Sequence, residues 1–291
     1  MPEAPAPRVD AGVLSPGGRP AELDRALRSL LAPRDVAVRI VCVGNGWEPS
    51  GLPDGVQGLH VPENVGAPEG RNLGSAVGDA PFVFYLDDDA WLPEDDALRR
   101  LIDVLARPGT GLVQARIMDP ADGRTESRWV PRLRTGSPSR SGPVTAVVEG
   151  ACAIRRSALE RAGGWAGPFV YGHEGIELAW RVWDQGLAVQ YVGDVVAAHP
   201  GGAAFRRPSQ MRLNARNRAW LVRRNLPWPL GPLHLSVWCL ITRWRLRRDR
   251  ETWQQWRAGL TEGLRQPAGE RRPIRWRTVW RLTTLGRPPV I

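Results

Sequence analysis

The chain has 291 residues, a formal net charge of +10 and 42% hydrophobic residues, values that fit a folded globular protein and exclude collagen-like and intrinsically disordered classes. At this length it can bury a full core, as one large domain or as one domain with an appendage. Three widely spaced cysteines, Cys42, Cys152 and Cys239, exclude a disulfide framework, show no metal-ligand spacing and indicate a reducing compartment.

Charge divides the chain into two parts. From Phe205 onward there are twenty arginines and four carboxylates, a net charge of +16, whereas the first 204 residues carry 20 arginines and 26 carboxylates. We predict a domain over residues 8–204 and a basic, tryptophan-rich, mostly helical extension over residues 205–291. The start shows no signal-peptide pattern, and the most apolar segment of the extension is only half of the roughly 20 residues that span a bilayer. The expected location is therefore cytoplasmic.

Strand and helix patterns alternate along the predicted domain. Short apolar strands are predicted at residues 9–14, 36–43, 56–61, 82–86, 112–117, 144–155 and 190–198. Helices with one apolar face are predicted around residues 23–31, 64–74, 97–105 and 176–183. A strand, a helix and a strand in quick succession indicate a βαβ unit, so the sequence predicts an α/β fold with a mostly parallel sheet flanked by helices. Residues 119–142 lack periodicity, and a loop of this length is a lid, a binding loop or disordered.

The strongest functional signal lies at residues 82–89, where five apolar residues run into Asp87, Asp88 and Asp89. Adjacent carboxylates repel one another, so such a cluster occurs either at a solvated turn or around a divalent cation. Ligands of open α/β sheets bind outside the carboxyl ends of the strands, which is where this triplet falls. An acidic turn that opens the next helix is the alternative for the triplet taken alone.

Other polar residues also follow predicted strands. Ser15 begins a loop rich in proline and glycine, and Gly44 and Asn45 end the second strand. Arg71 lies in a short helix whose first-turn amides suit anionic groups, and its guanidinium can pair with a phosphate. The alternatives are plain turns for the loop residues and a surface arginine for Arg71.

Three later residues are further candidates. Glu174 stands at the start of a predicted helix and Glu177 one turn on, where stabilisation of the helix dipole is the structural alternative. His199 directly follows the last predicted strand. A histidine in that position is commonly structural, and its interpretation depends on the residues that surround it.

Taken together, these motifs occur in the order of one family. The sequence resembles family-2-like glycosyltransferases with the GT-A (Rossmann-like) fold, which move a sugar from a nucleotide diphosphate donor to an acceptor. The resemblance covers about residues 9–200. It rests on Ser15-Pro16, Asn64-Val65-Gly66, Arg71-Asn72-Leu73-Gly74, Leu86-Asp87-Asp88-Asp89, Glu149-Gly150-Ala151-Cys152, Gly163-Gly164-Trp165, residues 174–181 and His199.

The resemblance implies a metal-dependent enzyme that uses a nucleotide sugar and a hydroxyl acceptor. It implies that Asp89 and His199, with Asp87, hold Mg²⁺ or Mn²⁺, since oxygen-rich coordination suits these ions. It places Asp87 and Asp88 near the ribose and the metal. The residues that it places along the nucleotide are Arg71, Ser15, Gly44 and Asn45.

Two positions depart from the family pattern. Gly44 stands where an aspartate usually contacts the base or ribose, and Gly175 stands where inverting members commonly carry an aspartate base. The expectation is inversion with Glu174, or else Glu177, as the base. Residues 172–183 also look like the corresponding helix of retaining GT-A enzymes that glycosylate polypeptides, so retention is an alternative. Two alternative functions remain. One is a catalytically idle nucleotide-sugar-binding or scaffold protein, and the other is a nucleotidyltransferase.

The extension combines arginine with tryptophan at many positions. Arginine attracts anionic headgroups and indole prefers the membrane interface, which predicts peripheral contact with the inner face of the plasma membrane and a lipid-linked acceptor. The alternative is a helical cap packed on the domain with a solvated basic face. Nucleic-acid binding is not expected, because no recognition motif accompanies the charge.

Overall fold

A computed structural model describes residues 5–33, 35–134, 136–201 and 208–291. The strands are β1 (Arg8–Ser15), β2 (Ala37–Asn45), β3 (Val56–Val61), β4 (Phe82–Asp87), β5 (Thr110–Met118), β6 (Gly142–Pro143), β7 (Ala151–Arg155) and β8 (Ala188–Ala198). The helices are α1 (Pro20–Leu31), α2 (Ala67–Ser75), α3 (Ala97–Ala106), α4 (Arg156–Ala162), α5 (Glu174–Asp184), α6 (Pro208–Asn225), α7 (Leu230–Arg245), α8 (Arg250–Arg265) and α9 (Trp276–Thr284). The predicted domain boundary at residues 204 and 205 lies outside the described residues.

The strands form one mixed sheet in the order β3-β2-β1-β4-β7-β5-β8-β6. Neighbours are parallel from β3 to β4 and between β5 and β8, whereas β7 runs antiparallel to β4 and β5, and β6 antiparallel to β8. The α/β prediction is confirmed. Because β1, β2, β4, β5 and β8 share one direction, their carboxyl ends meet at one edge of the sheet, and β7 enters the sheet from that same edge.

The strand predicted over residues 144–155 is wrong in its first part, because β7 begins only at Ala151. Its partner β4 ends at Asp87, and the pairing of Leu86 with Ala151 is the last in that ladder. On the side of β5, Val148 forms no strand pair with the backbone. Its amide instead donates a hydrogen bond of 2.7 Å to the Oε1 atom of the Gln114 side chain. Residues 148–150 therefore form a loop at the sheet edge. The long loop before them contains a 3-10 turn, Ser127–Trp129, and β6.

Apolar side chains cover both faces of the sheet. On one face, α1 buries Leu27 and α3 buries Leu101. Both residues belong to the apolar stripes from which these helices were predicted. The other face packs against α4, α5 and α6, and its core includes Trp220 of α6 and Leu282 of α9. Full burial of one such side chain stabilises the fold by about 1.5–3 kcal/mol. The basic extension thus packs on the sheet as a helical cap.

Among the helices of the described ranges, none is both long and apolar enough to cross a membrane.

Candidate active site

A cleft of about 720 Å³ opens at the sheet edge where the parallel strands end. Its wall includes Asn45 at the end of β2, Asp87 at the end of β4, His199 after β8 and Glu149 before β7. These residues are far apart in sequence, and the common direction of their strands brings them together. The loop before α5 and the 3-10 turn at Ser127–Trp129 complete the cleft.

Asp87, Asp89 and His199 each offer a ligand atom within 4.8 Å of the others. The His199 Nε2 atom lies 3.2 Å from the Asp89 Oδ1 atom and 3.9 Å from the Asp87 Oδ2 atom. Backbone pairing explains the juxtaposition, since Trp91 and Ala198 exchange two hydrogen bonds of 2.9 Å and thereby hold the residue after β8 beside the residues after β4.

This cluster has the donors and the potential of a divalent-cation site. The His199 Nδ1 atom faces the Pro200 carbonyl oxygen at 2.8 Å and so carries the hydrogen, which leaves Nε2 as the atom that faces the carboxylates. Burial alone would lower the pKa of His199, but the hydrogen bond and charge of Asp89, with Asp87, raise it to about 9. The local potential is therefore strongly negative. Two carboxylates and one imidazole fit Mn²⁺ or Mg²⁺.

Asp88 is buried and is held by Ser15 and Arg19. Its Oδ2 atom accepts a 2.7 Å hydrogen bond from the Ser15 hydroxyl, and its Oδ1 atom accepts a 2.8 Å bond from Arg19. The same Arg19 guanidinium also pairs with Asp89. Burial raises the pKa of Asp88, although Ser15 and Arg19 oppose this shift. Ser15 thus supports Asp88, which lines the cleft, while Asp87 and Asp89 face the histidine.

Arg71 connects the acidic cluster with α5. It is only 8% exposed, and its Nη2 atom lies 3.1 Å from the Asp87 Oδ1 atom while Nη1 lies 3.8 Å from the Glu174 Oε1 atom. Burial would lower the pKa of this guanidinium, but Asp87, Glu149 and Glu174 raise it. The Nη1 atom has no hydrogen-bond acceptor. Arg71 therefore presents a fixed positive charge with spare donor capacity to the cleft.

Glu174, like Asp88, is a buried carboxylate of the cleft, with 2% exposure. It begins α5, and its Oε2 atom makes no hydrogen bond. Burial, together with the nearby charge of Glu149, raises its pKa to about 8. The two residues before the helix that face this region, Val170 and His173, have positive φ angles of 63° and 76°, a strained backbone of the kind found at functional sites. Glu174 thus combines an open acceptor atom with a pKa suited to proton transfer near neutrality.

Glycine at position 175 follows from the position of Glu149. A Cβ atom at Gly175 would lie 2.1 Å from the Glu149 Oε1 atom and 2.3 Å from the Val147 carbonyl oxygen. The Gly175 amide donates a 2.7 Å hydrogen bond to that same Glu149 oxygen. The space that an aspartate at this position would occupy is therefore filled by Glu149.

Glu177, the second carboxylate that the sequence suggests as a base, lies outside the cleft. Its Oε1 atom pairs with Arg181 on the same helix and accepts a 2.9 Å hydrogen bond from Arg224 of α6. These contacts join α5 to the extension. The structure therefore brings Glu174, and not Glu177, together with the other candidates.

The two candidate residues at the end of β2, Asn45 and Gly44, differ in their relation to the cleft. Asn45 lines the cleft, and its side chain bonds to the Val65 amide at 2.9 Å and to the Asn64 Oδ1 atom at 3.1 Å. Gly44 does not line the cleft, because the backbone of Trp47 and the ring of Pro49 lie 2.3 and 2.6 Å from where its Cβ would be. Gly44 thus permits close packing of the next loop.

Several cleft residues were missed by the sequence analysis. They are Arg19, Glu149, Trp129 and Tyr171. Trp129 packs edge-on against His199 with 5.7 Å between ring centroids, yet it belongs to a loop without periodicity. Glu149 carried a signal only as part of a family motif, and Arg19 only as the residue before the first helix.

Three comparisons place this geometry among known proteins. Residues 19–163 match the family model for glycosyl transferase family 2. The pre-mycofactocin glycosyltransferase of Mycobacterium tuberculosis, represented by two strains, is 27% identical over 152 residues, which are 50% of this chain and 32% of that protein. The chain thus spans about a third of the length of this curated relative.

Solved structures share the fold at low identity. A mannosyltransferase from Pyrobaculum calidifontis, in complex with GDP-Man and Mn²⁺, has a TM-score of 0.56 at 16% identity, covering 96% of this chain and 73% of its own. GalNAc-T7 with UDP, GalNAc and Mn²⁺ has a TM-score of 0.63 at 16% identity and 89% and 57% coverage. TarS residues 1–349 from S. aureus has a TM-score of 0.60 at 12% identity and 89% and 81% coverage. The predicted GT-A fold is confirmed.

Proposed function

Residues 19–163 belong to glycosyltransferase family 2 and the fold is that of the GT-A glycosyltransferases, and from this premise we propose that the chain transfers a glycosyl group from a nucleotide diphosphate sugar to a hydroxyl acceptor with inversion. One observation carries the proposal. A buried carboxylate, Glu174, and the cluster of Asp87, Asp89 and His199 line the same cleft and are connected through Arg71.

Glu174 is proposed as the general base. Its unpartnered oxygen can accept the proton of an acceptor hydroxyl that lies in the cleft, and its raised pKa matches this task near neutral pH. Removal of that proton strengthens the oxygen nucleophile that attacks the anomeric carbon while the nucleoside diphosphate departs. Arg71 holds the carboxylate from the other side and supplies positive charge toward the departing diphosphate.

Asp87, Asp89 and His199 are proposed to hold Mn²⁺ or Mg²⁺. A divalent cation in this place supplies positive charge that stabilises a diphosphate leaving group. Two neighbours with this fold contain Mn²⁺ in their structures, with GDP-Man in one and UDP in the other. Asn45 and Arg71 are proposed to line the nucleotide, while Ser15 and Asp88 support this wall from below.

Binding of nucleoside diphosphates tests the proposal directly. With Mn²⁺ present, one of UDP, GDP, ADP or CDP is expected to raise the melting temperature, and a ligand at 100 times its Kd stabilises by about 2.7 kcal/mol. For a chain of this size each kcal/mol corresponds to roughly 2–4 °C. Differential scanning fluorimetry measures the shift, and EDTA should abolish it.

Turnover then separates the alternatives. Incubation with the matching sugar nucleotide should release nucleoside diphosphate, whereas a nucleotidyltransferase would release pyrophosphate. The anomeric configuration of the product, read by NMR, decides between inversion and retention. If no nucleoside diphosphate produces a shift with Mn²⁺, or if binding occurs without turnover over a broad donor panel, the proposed activity is wrong and a scaffold role is favoured.

We further propose that α7 contacts anionic membrane as a peripheral surface. Leu233, Leu240 and Trp244 are exposed along one stripe of this helix, with Leu240 at 72% and Trp244 at 66%. Arg243 and Arg247 flank the stripe, and the Arg247 guanidinium lies 5.2 Å from the Trp244 ring. Apolar side chains beside arginines are typical of interfacial helices, and such contact would bring a lipid-linked acceptor to the enzyme.

The double variant Leu240→Ser and Trp244→Ser is expected to weaken vesicle binding roughly tenfold or more, since burial of one large apolar side chain is worth about 1.5–3 kcal/mol. Flotation with vesicles that contain anionic phospholipid measures the bound fraction. Leu264→Ser on α8, also exposed, is the matched control. Equal flotation of the double variant and the unmodified chain would remove the membrane proposal.

A further inference from the structure

A second pocket, of about 360 Å³, lies between the loop before α5 and the helix α6. We call it the α6 pocket. Its lining includes Tyr171, His173, Glu174, Gln210, Asn214 and Arg218. Glu149, Tyr171 and Glu174 line both this pocket and the main cleft, so the carboxylate proposed as the base borders the two spaces. The volume of the α6 pocket lies in the range of small-molecule sites.

Arg218 is a buried cation without a carboxylate partner in the described part of the chain. It is 7% exposed, and its Nε atom has no hydrogen-bond acceptor. Its Nη1 atom lies 3.1 Å from the His234 Nε2 atom, and its guanidinium lies 3.6 Å from the centroid of the Trp238 ring. Burial and the nearby cations Arg287 and Arg245 lower its pKa to about 9. A buried charge of this kind is costly unless an anion compensates it.

His173 is a second buried polar group without a partner. It is 9% exposed, has a left-handed backbone with a φ of 76°, and its Nε2 atom makes no hydrogen bond. Burial and the charge of Arg218 hold its pKa well below the usual range, so its ring is neutral. The lining of the α6 pocket therefore includes a buried guanidinium without a carboxylate partner among the described residues and an imidazole whose Nε2 atom makes no hydrogen bond.

We propose that the α6 pocket binds the acceptor through an oxyanion, a carboxylate or phosphate group that Arg218 holds while the acceptor hydroxyl faces Glu174. The guanidinium group of Arg218 supplies the charge-assisted hydrogen bond to the oxyanion. The amides of Gln210 and Asn214 line the same space and can orient the rest of the molecule. This inference rests on the proposed function, since it identifies the chemical class of the acceptor.

The geometry assigns this anion to the acceptor and not to the donor. The donor diphosphate is served by the cation cluster and Arg71, which lie in the main cleft and do not line the α6 pocket. Glu174 lines both sites, together with Glu149 and Tyr171. A second positive centre beyond the proposed base lies where an acceptor enters, so an anionic substituent on the acceptor supplies the missing counter-ion of Arg218.

The test measures binding of anionic and neutral sugars while the main cleft is filled by nucleoside diphosphate and Mn²⁺. The probes are methyl glucoside, glucuronate and glucose 6-phosphate, titrated by calorimetry. We expect glucuronate or glucose 6-phosphate to bind and methyl glucoside to bind much more weakly, and the comparison of the two anions shows whether a carboxylate or a phosphate is preferred.

Two variants and one control assign the binding to the pocket. Arg218→Gln is expected to weaken binding of the anion roughly 10- to 100-fold, because a hydrogen bond to a charged group is lost. Asn214→Asp changes the side-chain volume little, retains Arg218 and places a negative charge in the pocket. It should therefore weaken binding of the anion at least about fivefold. This variant keeps the test decisive even if Arg218→Gln fails to fold. Arg257→Gln removes an exposed charge of α8 and should leave binding unchanged.

The outcomes separate this inference from the proposed function. If Asn214→Asp binds the anions as well as the unmodified chain does, or if methyl glucoside binds equally well, the anionic-acceptor inference is wrong even though the nucleoside diphosphate still binds. If no nucleoside diphosphate binds any form of the chain, the proposed function fails first. Anion binding that depends on Arg218 would then indicate an anion-binding site with no role in acceptor recognition.

Discussion

Replacement of Glu174 with glutamine is expected to lower the rate of glycosyl transfer by about 10²–10⁴-fold, the usual contribution of a general base. Glutamine keeps the shape of the side chain but cannot accept the proton of the acceptor hydroxyl. Binding of nucleoside diphosphate with Mn²⁺ should change little, because Glu174 is not a member of the cation cluster. The measurement is kcat with the best donor, alongside the fluorimetric shift with the diphosphate.

Glu177→Gln is the matched control on the same helix. It removes one partner of a buried ion pair with Arg181 and Arg224, which is expected to cost about 3–5 kcal/mol of unfolding free energy, while the folded fraction keeps its kcat within a few-fold. If Glu177→Gln abolished transfer in the folded protein and Glu174→Gln did not, the assignment of the base would be overturned.

The pKa of Glu174, raised to about 8 by burial and by the charge of Glu149, gives this prediction a pH signature. Because the base acts only when it is deprotonated, kcat/KM should rise as the pH increases toward and through 8. The unfolded chain releases this proton near the ordinary pKa of glutamate, so the folded protein binds more protons between the two values. Its contribution to stability is complete below the unfolded pKa and is lost as the pH rises through about 8. Glu174→Gln should remove this part of both profiles.

Asp89→Asn is expected to reduce transfer by about 10²–10³-fold, the cost of losing a group that stabilises charge in the transition state. The Asp89 carboxylate faces His199 at 3.2 Å and belongs to the proposed cation site. Asparagine preserves the volume but removes the negative charge. A titration of Mn²⁺ in the presence of nucleoside diphosphate should show a weaker apparent affinity for the cation, whereas Glu174→Gln should not.

Asp103→Asn provides the charge-matched control for this experiment, since Asp103 lies on the solvent side of α3 and pairs with Arg99. It should leave both the cation affinity and the transfer rate unchanged. An Asp89→Asn protein that bound Mn²⁺ and the diphosphate as tightly as the unmodified chain would contradict the assignment of Asp89 as a ligand.

The sequence predicted the helix and strand order well where patterns are local. The apolar run before Asp87 and the stripe of Leu98, Leu101 and Ile102 form the expected strand and helix, because side-chain periodicity follows directly from backbone geometry. Prediction failed at residues 144–150. Their apolar character suits a strand, but the partner strand β4 ends at Asp87, and strand pairing depends on a neighbour that is distant in sequence.

The candidate site was likewise only partly visible in the sequence. The acidic triplet and His199 lie at or just after strand ends, where parallel topology places them near one edge, whereas Arg71 lies within α2 and Glu174 begins α5. The division of labour within the triplet was not visible, because it depends on Ser15 and Arg19, which contact Asp88 from residues about 70 positions away.

By itself, the sequence determined the α/β order, the acid cluster at a strand end and the basic character of the extension, since each follows from local composition and periodicity. Only the tertiary structure decided which carboxylate faces the cleft. Glu177 is bound by Arg224, 47 residues away, and Glu149 fills the space beside Gly175. The α6 pocket and the burial of Arg218 were decided in the same way, because burial and the lack of a carboxylate partner among the described residues depend on how distant helices pack and not on the residues that adjoin Arg218 in the chain.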